Sequence, residues 1–171
     1  MRRHAILFFL VLFFGCGSAS LDAQDYNASG GKGKYKNPVF LPVFADPTIV
    51  RGDDGYFYGY ATENEWTKGE THVVPIIKSN NLVDWEYVAD AFETKPSWKN
   101  AGNIWAPDVS EMDGKYMMYY SFSTWGDENP GIGMAISDKP EGPFTDLGKL
   151  FLSKEIGVTN SIDPFYIESE G

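Results

Sequence analysis

A chain of 171 residues has room for one modest domain, and 43% apolar with 16% aromatic content is ample for a packed core, which excludes a disordered chain. A formal net charge of −10 repels phosphate backbones, and the short Lys32-Gly33-Lys34-Tyr35-Lys36 stretch is the sole basic cluster, which argues against nucleic acid as a partner. Eighteen glycines and ten prolines, spread along the chain, interrupt every stretch that could become a long helix and leave an all-β reading.

The N-terminus reads as an export signal. Arg2 and Arg3 precede a ten-residue apolar run, Ala5 to Phe14, which is too short to span a bilayer and is followed by the small residues Gly15 to Ser20. Two processing outcomes stay open. Cleavage near Ser20 or Ala23 removes residues 1–23 and gives a secreted or periplasmic protein. Lipidation of Cys16 in a lipobox-like Gly15-Cys16 gives a cell-surface or outer-membrane lipoprotein, its one route to a membrane. Phe13 in place of the usual lipobox Leu favours plain secretion. Cys16 is the only cysteine, so no intrachain disulfide supports the domain. Residues 24–36, dominated by Gly, Ser, Asn and Lys, read as a flexible linker, and the domain is expected over residues 37–171.

Three times an acid beside a proline opens a short apolar strand: Ala45-Asp46-Pro47-Thr48-Ile49-Val50, Trp105-Ala106-Pro107-Asp108-Val109 and Ile162-Asp163-Pro164-Phe165-Tyr166-Ile167. In the first repeat the strand Ala45 to Val50 turns through Arg51 to Gly55, Tyr56 to Ala61 returns, and a polar loop with Trp66 leads to Val73 to Ser79 and an outer strand, Trp85 to Val88. The second repeat follows the same plan, with Trp105 to Met112, a turn at Asp113-Gly114, Tyr116 to Phe122, Gly131 to Ser137 and Phe144 to Leu147. Four strands make one propeller blade. Asp46 and Asp108 are 62 residues apart and Asp108 and Asp163 are 55 apart, comparable to known blade repeats. Residues 162–167 are then the first strand of a third blade, with Glu168 and Glu170 in its turn. Two and a quarter blades would expose unpaired edges, so the sequence is expected to be part of a longer propeller; two oligomerising blades are the alternative.

The motifs Asn37-Pro38-Val39, Ala45-Asp46-Pro47, Ser79-Asn80-Asn81-Leu82-Val83-Asp84-Trp85, Trp105-Ala106-Pro107-Asp108, Gly142-Pro143-Phe144 and Ser161-Ile162-Asp163-Pro164 occur in an order that resembles glycoside hydrolase family 43. These are five-bladed β-propeller enzymes that act on arabinan and xylan. An inverting glycosidase needs one carboxylate to activate water and a protonated carboxyl to serve the leaving oxygen, about 6.5 to 9.5 Å apart. The resemblance implies that Asp46 is the general base and that Asp163 orients the acid and raises its pKa, since a like charge disfavours ionisation. The proton donor of the family is a Glu in a later blade, so this chain by itself is expected to be inactive. Glu168 and Glu170 do not fill that role.

A sugar ring presents an apolar face that stacks on aromatic side chains while its hydroxyls find polar partners. Trp105 is the candidate wall of the catalytic subsite and Trp125 of a neighbouring one, each competing with a core-packing role. Asp108 either lines the pocket or pairs with strand amides, and Trp66, Trp85 and Trp98 read as structural. His72 reads as a satisfied surface histidine rather than a metal ligand. No His/Cys cluster has metal spacing, so no metal or cofactor is expected; a structural calcium ion, held near the axis in some family members, would take ligands mostly outside this chain. The stretches Tyr119 to Gly126 and Asn160 to Pro164 resemble arabinan endo-1,5-α-L-arabinosidases more than β-xylosidases. The expected partner is plant cell-wall arabinan, with xylan second. The alternatives are an exo-acting arabinofuranosidase or β-xylosidase, and a sugar-binding propeller without catalysis.

Overall fold

The computed structural model describes residues 35–169. The expected export signal with Cys16, most of the expected linker, and Glu170 lie outside the described residues.

Two antiparallel four-stranded sheets follow one another along the chain. The first contains β1 (Thr48–Arg51), β2 (Phe57–Tyr60), β5 (Pro75–Ser79) and β6 (Glu86–Asp90), in the order β1-β2-β5-β6. A small hairpin of β3 (Asn64–Thr67) and β4 (Glu70–His72) interrupts it where a loop was expected. Those strands are polar and short, so they lack the apolar alternation by which a strand is recognised. The second sheet contains β7 (Asn103–Met112), β8 (Lys115–Ser123), β9 (Gly131–Ser137) and β10 (Thr145–Leu152), also in meander order. The repeated four-stranded plan is therefore present. Ser79 and Ser137 end corresponding third strands, and each hydroxyl accepts a backbone amide two residues on.

Local chemistry explains the turns. Asp113 and Gly114 both have positive φ, as a two-residue hairpin connection requires, and join β7 to β8. Asp54 caps the β1–β2 turn by accepting the Tyr56 N–H at 3.1 Å. In β7, Trp105 pairs with Ser121 and Asp108 with Tyr119, so one extra residue is inserted at Ala106-Pro107. This bulge suits a proline, which has no N–H to give to a ladder.

The sheets share a core of Tyr58, Tyr60, Ile76, Ile104, Met118, Tyr120, Phe122 and Phe144. Its phenols have partners: Tyr60 donates to the Pro140 carbonyl at 2.6 Å, while Tyr120 donates to Asp146 at 2.6 Å and accepts from Trp98 Nε1 at 2.7 Å. Burial pushes the Tyr120 phenol well up, and the bond to Asp146 adds to the shift. Trp98 and Trp66 are structural, as expected: Trp98 packs on Phe122, and Trp66 lies among Phe40, His72 and Tyr87. His72 departs from its expected surface position. It is buried against the Trp66 ring at 4.1 Å, with Nδ1 2.9 Å from Asp90, because it ends β4 of the unexpected hairpin and Trp66 of β3 lies against it.

The segment expected to open a third blade, Ile162–Ile167, is irregular. A strand needs a ladder partner, and this segment pairs with none among the described residues.

Candidate functional site

Asp46, Ala106 and Asp163 each precede a proline, and each has a left-handed backbone, with φ of 50°, 41° and 56°. Such a φ is costly for a residue with a Cβ and persists only where the surroundings impose it. Three occurrences at one position of a repeated motif mark a built feature. They also correct the alignment of the repeats: the counterpart of Asp46 and Asp163 in the second repeat is Ala106, not Asp108. The spacing becomes 60 and 57 residues, more even than a count through Asp108.

The strained residues are tied across the boundary between the sheets. Thr62 Oγ1 accepts the Ala106 N–H at 2.9 Å and lies 2.7 Å from Asp46 Oδ2. A hydroxyl has one proton, and the carboxylate has none to give, so Thr62 donates to Asp46. The Thr62 N–H bonds the Ala45 carbonyl at 3.0 Å, closing the same turn. Next in sequence, Glu63 is buried; it accepts from the Ile104 N–H at 2.9 Å and from Lys95 at 2.6 Å, and its own N–H bonds the Ile104 carbonyl at 2.8 Å. The first sheet is thus fastened to β7 beside Asp46.

Asp163 is held from the other side. Its N–H donates to Ser121 Oγ at 2.8 Å, and Ser121 is fully buried on β8 opposite Trp105. Asp46 and Asp163 are both exposed to solvent, and Trp105 stands on β7, which the Ala106 N–H ties to Thr62 and Asp108 ties to the Tyr166 N–H. Asp108 is buried, and both of its oxygens accept protein donors: Thr48 Oγ1 at 3.2 Å and the Tyr166 N–H at 2.7 Å.

Trp125 is 92% exposed, yet its ring centroid lies 5.4 Å from that of Trp105. It sits in the turn Thr124–Asp127, closed by the Asp127 N–H to the Thr124 carbonyl at 3.0 Å, with Gly126 at φ 78°. Lys99 bonds Asp127 at 2.7 Å and the Asn129 carbonyl at 2.7 Å, and Ser123 adds a bond to Asp127. Burial alone would raise the Asp127 pKa; the bond from Lys99 and the Asn129 N–H outweigh it and hold the carboxyl below its ordinary value. Trp125 is thereby a fixed aromatic surface open to solvent beside Trp105. Among the described residues, no group of three or more His, Cys, Asp or Glu is arranged to hold a metal ion.

Thr62, Glu63 and Ser121 were missing from the sequence reading. A hydroxyl or acidic residue near the end of an apolar strand is too common a pattern to single out, and their partners lie 16 to 44 residues away.

Several known proteins are similar to this chain. The chain is 32% identical over 132 residues to arabinan endo-1,5-alpha-L-arabinosidase A of Aspergillus niger, a match covering 74% of this chain and 39% of that protein. It is 33% identical over 127 residues to extracellular endo-alpha-(1->5)-L-arabinanase 1 of Bacillus subtilis, covering 70% of this chain and 38% of that one. The solved structure of Cellvibrio cellulosa alpha-L-arabinanase complexed with arabinohexaose superposes with a TM-score of 0.62 at 26% identity, over 74% of this chain and 41% of its own. An exo-1,5-alpha-L-arabinanase from a bovine ruminal metagenomic library matches with a TM-score of 0.62 at 28% identity, over 80% of this chain and 47% of its own. The chain spans about two fifths of the length of the curated relatives it matches. The family model of the glycosyl hydrolases family 43 matches residues 35–171, and with the two sheets and the repeated pre-proline turns of the propeller fold in place, this chain belongs to that family.

Proposed function

We propose that the protein hydrolyses the α-1,5 linkages of arabinan by single displacement with inversion, with Asp46 as the general base and Asp163 as the carboxylate that orients the proton donor and raises its pKa. The observation that carries this reading is the shared strained conformation of Asp46 and Asp163, both exposed and both bonded to the strands around Trp105. A base must present one oxygen to water in a fixed direction, and the Thr62 hydroxyl occupies Oδ2 and leaves Oδ1 for that task. Trp105 and Trp125 form the sugar-stacking surface. The proton donor in this reading is the Glu that the family carries in a later blade, so the 171 residues alone do not cleave arabinan. Endo action is the first reading, in keeping with the names of the fungal and Bacillus relatives. The equal structural likeness to an exo-1,5-alpha-L-arabinanase supports exo action as the second. Export also fits, since relatives from Bacillus subtilis and Thermotoga petrophila are named extracellular, with lipidation of Cys16 the lesser route.

The test is hydrolysis of linear 1,5-α-arabinan by the intact protein carrying this sequence. Asp46→Ala is expected to lower kcat by about 10² to 10⁴-fold while oligosaccharide binding by calorimetry persists. Unchanged turnover in that variant removes Asp46 from the role, and binding without turnover in the wild-type protein favours a non-catalytic propeller. Nuclear magnetic resonance of the first-formed anomer reports inversion directly.

A further inference from the structure

We propose that Asp108 is a positioning residue that sets the separation of the two acid-bearing segments, rather than a group that meets the sugar. This rests on Asp46 and Asp163 being the catalytic pair. Asp108 lies on β7 just after the bulge at Ala106-Pro107 and is only 9% exposed. Its Oδ1 receives Thr48 Oγ1 at 3.2 Å, two residues beyond Asp46, and its Oδ2 receives the Tyr166 N–H at 2.7 Å, three residues beyond Asp163. One carboxylate therefore grips the first repeat with one oxygen and the 162–167 segment with the other.

The grip matters most on the Asp163 side. Thr48 is already held by its ladder to Tyr60 on β2, whereas the 162–167 segment has no ladder among the described residues. Two hydrogen bonds, Asp163 N–H to Ser121 and Tyr166 N–H to Asp108, tie it to the second sheet there, with the Tyr166 ring stacked parallel on Tyr119 at 6.2 Å. With both oxygens engaged and the group buried, Asp108 has no free oxygen to offer a sugar hydroxyl. A catalytic constellation tolerates little displacement, so a buried group that fixes both acids controls rate without touching substrate.

The experiment compares Asp108→Ala, Asp108→Asn and Thr48→Val in the intact protein, reading kcat and KM on linear arabinan and hydrogen exchange at the Tyr166 amide. Asp108→Ala is expected to lower kcat by about 100-fold with KM unchanged, and to make Tyr166 exchange fast. Asp108→Asn recovers most of the lost rate and the slow exchange, because its carbonyl oxygen accepts from Tyr166 and its NH2 donates to the Thr48 hydroxyl. A loss carried by KM, or an Asn variant as impaired as Ala, identifies a charge that meets substrate and overturns the proposal. Thr48→Val removes one arm without emptying the buried site; it is expected to lower kcat by less, and wild-type kcat there overturns the clamp on the β1 side even if the Ala variant does not fold. If no protein, wild type included, cleaves arabinan, the functional reading fails by itself. Tyr166 exchange still decides the clamp: fast exchange in the wild type, or slow exchange in Asp108→Ala, overturns it.

Discussion

The first and second sheets solve one backbone problem in two ways. In the first, the left-handed residue Asp46 lies outside the ladder, and β1 begins only at Thr48 and runs four residues. In the second, Ala106 has the same backbone, but β7 runs ten residues straight through it as a bulge, because Asn103 to Trp105 find partners on the long β8. The second sheet keeps its strained residue within the ladder and bonds its N–H to Thr62, whereas the first leaves Asp46 outside the ladder, where the same Thr62 hydroxyl donates to its carboxylate. The turn is therefore a device for aiming a residue, independent of that residue's chemistry. It carries a carboxylate in the first repeat and at Asp163, and a methyl group in between.

The largest stability effect is expected where the second sheet's packing is least forgiving. A Cβ at Gly133 would lie 2.6 Å from the Tyr120 hydroxyl, which Trp98 and Asp146 hold in place, whereas a Cβ at Gly59 in the first sheet meets the movable Ile77 Cγ1 at 3.0 Å. Gly133→Ala is expected to cost about 3 kcal/mol and Gly59→Ala about 1 kcal/mol in urea unfolding. Equal costs would show that the two sheets do not differ in rigidity.

Next comes the seam that joins them. Glu63→Ala strands the buried Ile104 N–H and frees Lys95, and is expected to destabilise by about 2 kcal/mol. A loss confined to one sheet in hydrogen exchange, with the other unchanged, would mean that the seam does not couple them. Thr62→Val is expected to cost about 1 kcal/mol in stability, with a larger fractional loss in kcat than Thr62→Ser, because only the hydroxyl bonds the Asp46 carboxylate and the Ala106 N–H. A Val variant with wild-type kcat would show that β1 needs no such support.

Smaller effects belong to the Trp125 turn. The Asp127 pKa is depressed in the folded protein, so its pairing with Lys99 contributes fully above the unfolded carboxyl value near 4, and the contribution is lost as pH falls through the folded value. Lys99→Met should therefore lower stability at pH 7 more than at pH 2, by about 1 kcal/mol or less; a difference in the reverse direction contradicts the pairing. Trp125→Ala is expected to leave the melting temperature unchanged and to weaken oligosaccharide binding by calorimetry, since its ring is 92% exposed.

Much of this was legible in the residues. Apolar strands punctuated by Asp113-Gly114 and by the Asp54-Gly55 turn foretold the two sheets, because alternation and turn chemistry act over a few residues. The motif order implied the family that the comparisons show. The β3–β4 hairpin was not legible, for it has no apolar face of its own, and His72 was misjudged with it.

By itself the sequence determined the all-β class, the four-strand repeat and the acids set beside prolines, since these depend on short-range periodicity and on what each residue type permits. Only the tertiary structure decided that Ala106 is the true counterpart of Asp46 and Asp163, that Thr62 and Ser121 hold those acids, and that Asp108 faces inward with both oxygens taken. Those facts depend on backbone angles and on hydrogen bonds between residues 16 to 60 positions apart along the chain, which no local pattern encodes.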